Sequence, residues 1–328
     1  MKKTARRLAI IAACCFSSCS EKPATPPLET PPSVAVSPEL WKEFSGEKAL
    51  QETQRLVDFG PRPSGSSAIE KTRQYISETL AKNGWEAERQ EFRETPVSGR
   101  GKTVFANIIA RFPAVKGQLA SRATQRVIIG SHFDTKLMPI RFVGANDAGS
   151  STGALLELSR VLAQSPAFAQ QFELVFFDGE EGVEQISSNV EFGPDGLVGS
   201  RYYAKQVRNR ARQFRFAIVW DMIGDKELTI TLPSDTPPNL SGGIFKAAEE
   251  LGFRNKFGFA PGSILDDHEP IARIARIPAM DIIDFNYTST ENQFWHTAAD
   301  SVDKLSAESL EIVGRVTLKM LISELGVK

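Results

Sequence analysis

The sequence predicts an α/β domain in which helices cover a mostly parallel sheet. Three observations carry that expectation. Apolar runs of strand length recur at 104–112, 126–133, 172–177, 216–220, 228–232 and 279–285, and helical stretches separate many of them at 153–164, 200–208, 243–251 and 307–325. Several runs, such as Val127-Ile128-Ile129 and Leu174-Val175-Phe176-Phe177, are apolar at successive positions, as central strands covered on both faces must be. The composition, 41% hydrophobic and 24% charged over 328 residues, supplies one large core.

Taken in chain order, the N-terminus comes first. Lys2, Lys3, Arg6 and Arg7 precede an apolar run at 8–16, far short of the ~20 residues that span a bilayer, so residues 1–18 read as an export signal. All three cysteines, Cys14, Cys15 and Cys19, fall here, and nothing beyond Cys19 can form a disulfide or thiolate metal site. Phe16-Ser17-Ser18-Cys19 resembles a bacterial lipoprotein lipobox. That resemblance implies cleavage before Cys19 and acylation of its thiol, and Ser20 after it implies the outer membrane, facing the periplasm. Residues 20–38 hold six of the 19 prolines, so 19–39 reads as an extended tether and 40–328 as the folded unit.

Within that unit, helical spacing at 47–58 closes at Gly60-Pro61, and a second helix at 68–82 follows Ser64-Gly65-Ser66 and ends at Asn83-Gly84. The balance of 39 Lys+Arg against 40 Asp+Glu gives no basic footprint for nucleic acid. A tethered monomer, touching the membrane only through the lipid on Cys19 and acting on a peptide or protein with a free N-terminus, is the expectation.

Polar residues mark the ends of three strand runs. Ile128-Ile129 leads into Gly130-Ser131-His132-Phe133-Asp134, Phe176-Phe177 into Asp178-Gly179-Glu180-Glu181, and Val219-Trp220 into Asp221. Ligand sites of open α/β sheets form at the carboxyl ends of strands, so His132, Glu180, Glu181 and Asp221 are expected at one edge. Converging carboxylates and imidazole are costly in an apolar setting unless a cation joins them. The chain has three histidines, His132, His268 and His296, each within four residues of an aspartate. Nitrogen and oxygen donors without thiolate suit a catalytic zinc with an open position, and a nearby carboxylate would fix each imidazole's tautomer.

The ordered series His132-Phe133-Asp134, Asp147 in FVGANDAGSSTG, Glu180-Glu181 in FFDGEE, Asp221 in WDMIG and His296 in WHT resembles the zinc aminopeptidase and glutaminyl cyclase superfamily over roughly 46–325. The resemblance implies a phosphorylase/hydrolase-like three-layer α/β/α sandwich. In the aminopeptidase branch it implies two zinc ions: Asp147 bridges, His132 and Asp221 complete one position, and Glu181 and His296 the other. Glu180 is then the proton shuttle. SHFDTK with Lys136, LVFFDGEE, Asp266-Asp267-His268-Glu269-Pro270 and Trp295-His296-Thr297 look like glutaminyl-peptide cyclotransferase. That branch implies one zinc on Asp147, Glu181 and His296, with Asp266 and Asp221 networked to Glu180.

On this reading the substrate is a peptide whose N-terminal Gln cyclises to pyroglutamate with loss of ammonia. Trp295, Lys136 and Phe192 are the expected substrate-side residues, Phe192 standing in for a tryptophan absent from 182–186. Ala148-Gly149-Ser150-Ser151-Thr152-Gly153 lies closer to the aminopeptidase pattern, so zinc-dependent removal of N-terminal residues stands as the alternative.

Overall fold

The computed structural model describes residues 36–95, 102–114, 125–182, 196–285 and 294–325. The export signal, Cys19, nearly all of the tether and Phe192 lie outside the described residues. Eight strands are described: β1 (Glu86–Glu94), β2 (Thr103–Arg111), β3 (Arg126–His132), β4 (Phe172–Phe177), β5 (Phe214–Asp221), β6 (Ile230–Leu232), β7 (Phe257–Phe259) and β8 (Ala279–Ile283). The α-helices are α1 (Gly46–Asp58), α2 (Ser67–Lys82), α3 (Ser151–Leu162), α4 (Pro166–Ala169), α5 (Val198–Val207), α6 (Pro238–Glu250), α7 (His268–Pro270) and α8 (Ala307–Glu324).

The local rules behind these elements are visible. The Ser45 hydroxyl accepts from the Lys48 amide at 3.3 Å and opens α1, whose Ala49, Thr53 and Leu56 return to the core at helical spacing. Ser66 caps α2 in the same way at 3.1 Å, and Gly84, with φ of +86°, turns the chain out of it toward β1.

The main sheet has six strands in the order β1-β2-β4-β3-β5-β8. Strands β3, β4, β5 and β8 pair in parallel, while β1-β2 and β2-β4 are antiparallel, so the sheet is mixed. Side chains at alternate strand positions enter two separate clusters. Val127, Ile129, Leu174, Phe176, Ile218 and Met280 pack with α3 and α8. Ile109, Ile128, Val175, Phe177, Val219 and Ala279 pack with α5 and the turn at Ile271–Ala275. Two clusters on opposite faces of one sheet make the three layers.

Every residue of β4 is buried, including Glu173. Its carboxylate accepts from Arg111 Nε at 2.6 Å and from the Tyr203 hydroxyl at 2.6 Å, which is how a charge is tolerated in a central strand.

Two differences from the sequence expectation have clear causes. The edge strand β1 reads EAERQEFRE, and Phe92 is its one buried residue, so hydrophobic periodicity does not reveal it. The run at 228–232 does not join the main sheet; its ordered part, β6, pairs with β7 in a separate two-stranded sheet. Among the described residues, no helix is long and apolar enough to cross a membrane.

Candidate metal centre

Parallel register brings the strand ends together. His132 pairs with Phe177, one residue before Asp178, and Gly130 pairs with Val219, two residues before Asp221. The loop after β3 then supplies a fourth donor. Gly144 has φ of +49°, and a Cβ there would lie 1.8 Å from the Asp147 carbonyl oxygen, so the turn that delivers Asp147 excludes any side chain. Asp300 holds this turn from below, its carboxylate accepting from the amides of Asn146 at 2.7 Å and Asp147 at 3.2 Å. His296 follows on a backbone with φ of +54°, a conformation that non-glycine residues adopt at a cost and that clusters at functional sites.

Asp147 stands between two imidazoles. Its Oδ1 lies 3.3 Å from His132 Nε2 and its Oδ2 3.2 Å from His296 Nε2. His296 Nε2 also lies 3.2 Å from Glu181 Oε1, and His132 Nε2 lies 3.2 Å from Asp221 Oδ1. Two groups of three donors result, Asp147-Glu181-His296 and His132-Asp147-Asp221, in each of which one donor atom per residue lies within 4.8 Å of the others. A tetrahedral zinc with bonds of about 2.0–2.2 Å spaces its ligands about 3.3–3.6 Å apart, so the nitrogen–oxygen spacings fit such an ion. Behind them, Asp134 accepts from the amides of Glu180 at 3.1 Å and Glu181 at 3.2 Å, and its Oδ1 lies 3.4 Å from His132 Nδ1. One carboxylate thereby orients an imidazole and both glutamates.

The electrostatics follow from packing. Burial works to protonate Asp147, yet His132 and His296 outweigh it and hold the carboxyl below the usual range. Burial works against a charge on His296, but Asp147 and Glu181 prevail and lift it to about 9. Asp221 is pushed up to about 7 by burial, with Asp266 and Asp147 adding to the effect and His132 opposing it. Glu180, half-buried, is raised well above an ordinary glutamate by lost hydration and by the charges of Glu181, Asp266 and Asp267, against His132.

The remaining expected residues are placed as follows. Asp266 is buried, and its Oδ1 accepts from the Asp267 amide. Trp295 is 37% exposed; its ring stacks on His296 at 4.1 Å and meets Phe285 edge-on. Lys136 Nζ donates to the Gly182 carbonyl at 3.1 Å and lies 3.5 Å from Glu181 Oε2, so its charge is directed at one of the clustered glutamates. Two contributors were not singled out by the sequence. Asp300 had a faint signal, four residues after His296. Arg62 had none: it is buried, and its guanidinium donates to the carbonyls of Phe133, Leu56, Gly60, Val143 and Gly144, tying both ligand-bearing loops to the end of α1.

Comparison with known proteins agrees with this geometry. The model of peptidase family M28 matches residues 107–321. Glutaminyl cyclases from Porphyromonas gingivalis and an Acidobacteriales bacterium each superpose with a TM-score of 0.74. They are 28% and 30% identical and cover 86% and 85% of this chain and 99% and 94% of theirs. A Zn-dependent exopeptidase from Parabacteroides distasonis superposes with a TM-score of 0.74 at 26% identity, covering 85% of this chain and 98% of its own. The chain therefore belongs to peptidase family M28, among the zinc-dependent enzymes of the glutaminyl cyclase and aminopeptidase type.

Proposed function

We propose that this protein is a zinc-dependent glutaminyl-peptide cyclotransferase that converts the N-terminal Gln of peptides to pyroglutamate and releases ammonia. The observation that carries the reading is Glu180, which burial, with the charges of Glu181 and the buried Asp266 and Asp267, raises well above an ordinary glutamate against His132. The two glutaminyl cyclases that match over nearly their whole length support it.

Asp147, Glu181 and His296 would hold the zinc, and Asp221 and Asp266 set the proton affinity of Glu180. Bound there, the ion supplies Lewis acidity toward the γ-carboxamide oxygen of the substrate. Glu180 takes a proton from the substrate's α-amine as that nitrogen attacks the amide carbon, then returns one to the departing ammonia. A carboxyl raised well above the ordinary glutamate range can do both, where an ordinary glutamate would be a poor acid. The exposed face of Trp295 offers a flat wall for the glutamine side chain, and Lys136 steadies Glu181. Holding amine and amide together favours closure of a five-membered ring. The reading extends to location: export through the leader and an acyl anchor on Cys19, with the catalytic unit facing the periplasm as a monomer.

One observation favours a second reading. The two oxygens of Asp147 face different imidazoles, as a bridging carboxylate would, and His132 with Asp221 completes a second position. With two zinc ions the same cluster would suit an aminopeptidase. Incubation with a Gln-initiated peptide separates the two. A product lighter by one ammonia, formed with one zinc in the Asp147 cluster, is expected. Free glutamine and a shortened peptide, formed only with both positions beside Asp147 filled, would transfer the assignment to the peptidase.

A further inference from the structure

Nothing in the proposed reaction uses His268 or Asp281. His268 opens α7 and is 4% exposed; Asp281, in the middle of β8, is fully buried. Neither ring nitrogen of His268 has a hydrogen-bond partner among the described residues, and the oxygens of Asp281 and Oδ2 of Asp266 have only a proton shared between those two carboxyls. The approach of His268 Nδ1 to Asp281 Oδ2 is 3.8 Å, beyond hydrogen-bond range. One donor atom from each of Asp266, His268 and Asp281 nevertheless lies within 4.8 Å of the others. Buried polar atoms are normally paired, and a buried imidazole with neither nitrogen satisfied, set against two carboxyls that have only each other, points to a partner common to all three residues.

The chemistry of that partner follows from the donors. Burial holds His268 below its ordinary range, so its imidazole is neutral with a lone pair to give. Asp266 and Asp281 add carboxyl oxygens; burial and the neighbouring Asp266 favour a proton on Asp281, which a bound metal ion would displace. An imidazole with two carboxylates is an N,O donor set that accepts a divalent transition ion. His268 also lines a cavity of about 440 Å³, together with Asp235, Glu269, Arg273, Arg276 and Ala279. Ala279, on the cavity wall, and Asp281 are two residues apart on one strand and share a face.

We propose that Asp266, His268 and Asp281 form a further divalent-cation site, distinct from the Asp147 cluster and next to the cavity beside α7. Its occupant would fix Asp266, and that consequence alone rests on the cyclase reading, which places Asp266 beside Glu180. Ion binding itself stands whatever the reaction.

The test uses the full chain with zinc as the probe. Anomalous diffraction at the zinc edge from the zinc-soaked wild-type protein should show density between His268 and Asp281, with bonds of about 2.0–2.2 Å, besides that at His296. In solution, a His132→Ala/His296→Ala variant should retain one zinc per chain after dialysis, and adding Asp281→Asn should remove it. Absence of anomalous density at His268 overturns the site, whether or not the variants fold, and leaves a proton shared by Asp266 and Asp281 as the occupant. A variant that folds by circular dichroism yet holds no zinc overturns it equally. Release of free glutamine from a Gln-peptide would defeat the cyclase reading and leave this result untouched.

Discussion

Glu180 and Glu181 are adjacent in sequence and opposite in task. The Glu181 carboxylate faces His296 and Lys136, whereas Glu180 faces the Asp266 side of the cluster with a raised proton affinity. Replacing Glu180 by Gln keeps the volume and removes the titrating group. Turnover on a Gln-peptide should fall about 10²–10⁴-fold with zinc content unchanged by metal analysis, and undiminished turnover would remove Glu180 from the mechanism. His296→Ala should instead strip the zinc from the Asp147 cluster, because it deletes the one imidazole of that trio; a cluster that keeps its zinc would displace the proposed ligand set. Residue types at strand ends made His132, Glu180, Glu181 and Asp221 legible, since a carboxylate after an apolar strand needs a reason. Arg62 and Asp300 were not legible as partners. Their contacts are to backbone groups up to 154 residues away, and backbone groups carry no sequence signature.

At the scale of elements, the turn from Gly144 to Asp147 sets the donor geometry. Gly144→Ala would force a side chain into the Asp147 carbonyl, on a backbone with positive φ. The backbone must shift, and zinc affinity in a competition titration should drop at least tenfold, while the thermal midpoint of the zinc-free protein falls by a few degrees for each ~1 kcal/mol lost. A variant with wild-type zinc affinity would show that the turn is not what positions Asp147. Elements that bury a periodic face were readable in advance: the helix expected at 47–58 is α1 (Gly46–Asp58), and the run at 172–177 is β4. Strand β1 was not readable, because an edge strand of alternating charges earns its place from the β2 backbone rather than from its own apolar residues.

For the whole molecule, the centre couples metal, protons and stability. In the zinc-free protein Asp221 and Asp300 titrate near about 7 rather than at the usual aspartate value of 3.8. A carboxyl raised on folding binds its proton more tightly in the folded state, so stability falls as pH climbs from about 4 to about 7. His296, lifted from 6.5 to about 9, contributes stability that is complete below 6.5 and lost as pH rises through about 9. Both effects have one sign across this range. Asp147, which is depressed, acts only where the medium is more acidic than its unfolded value of 3.8. The thermal midpoint of chelator-treated protein should therefore decline steadily from about pH 5 to about pH 9. Zinc displaces the His296 proton when it takes that donor, and its charge beside Asp221 and Asp300 favours loss of theirs, so its stabilising effect should grow over that interval. Scanning calorimetry with and without zinc reads both trends; a zinc-induced shift that is flat with pH would mean that the ion does not compete with protons for His296 and its neighbours.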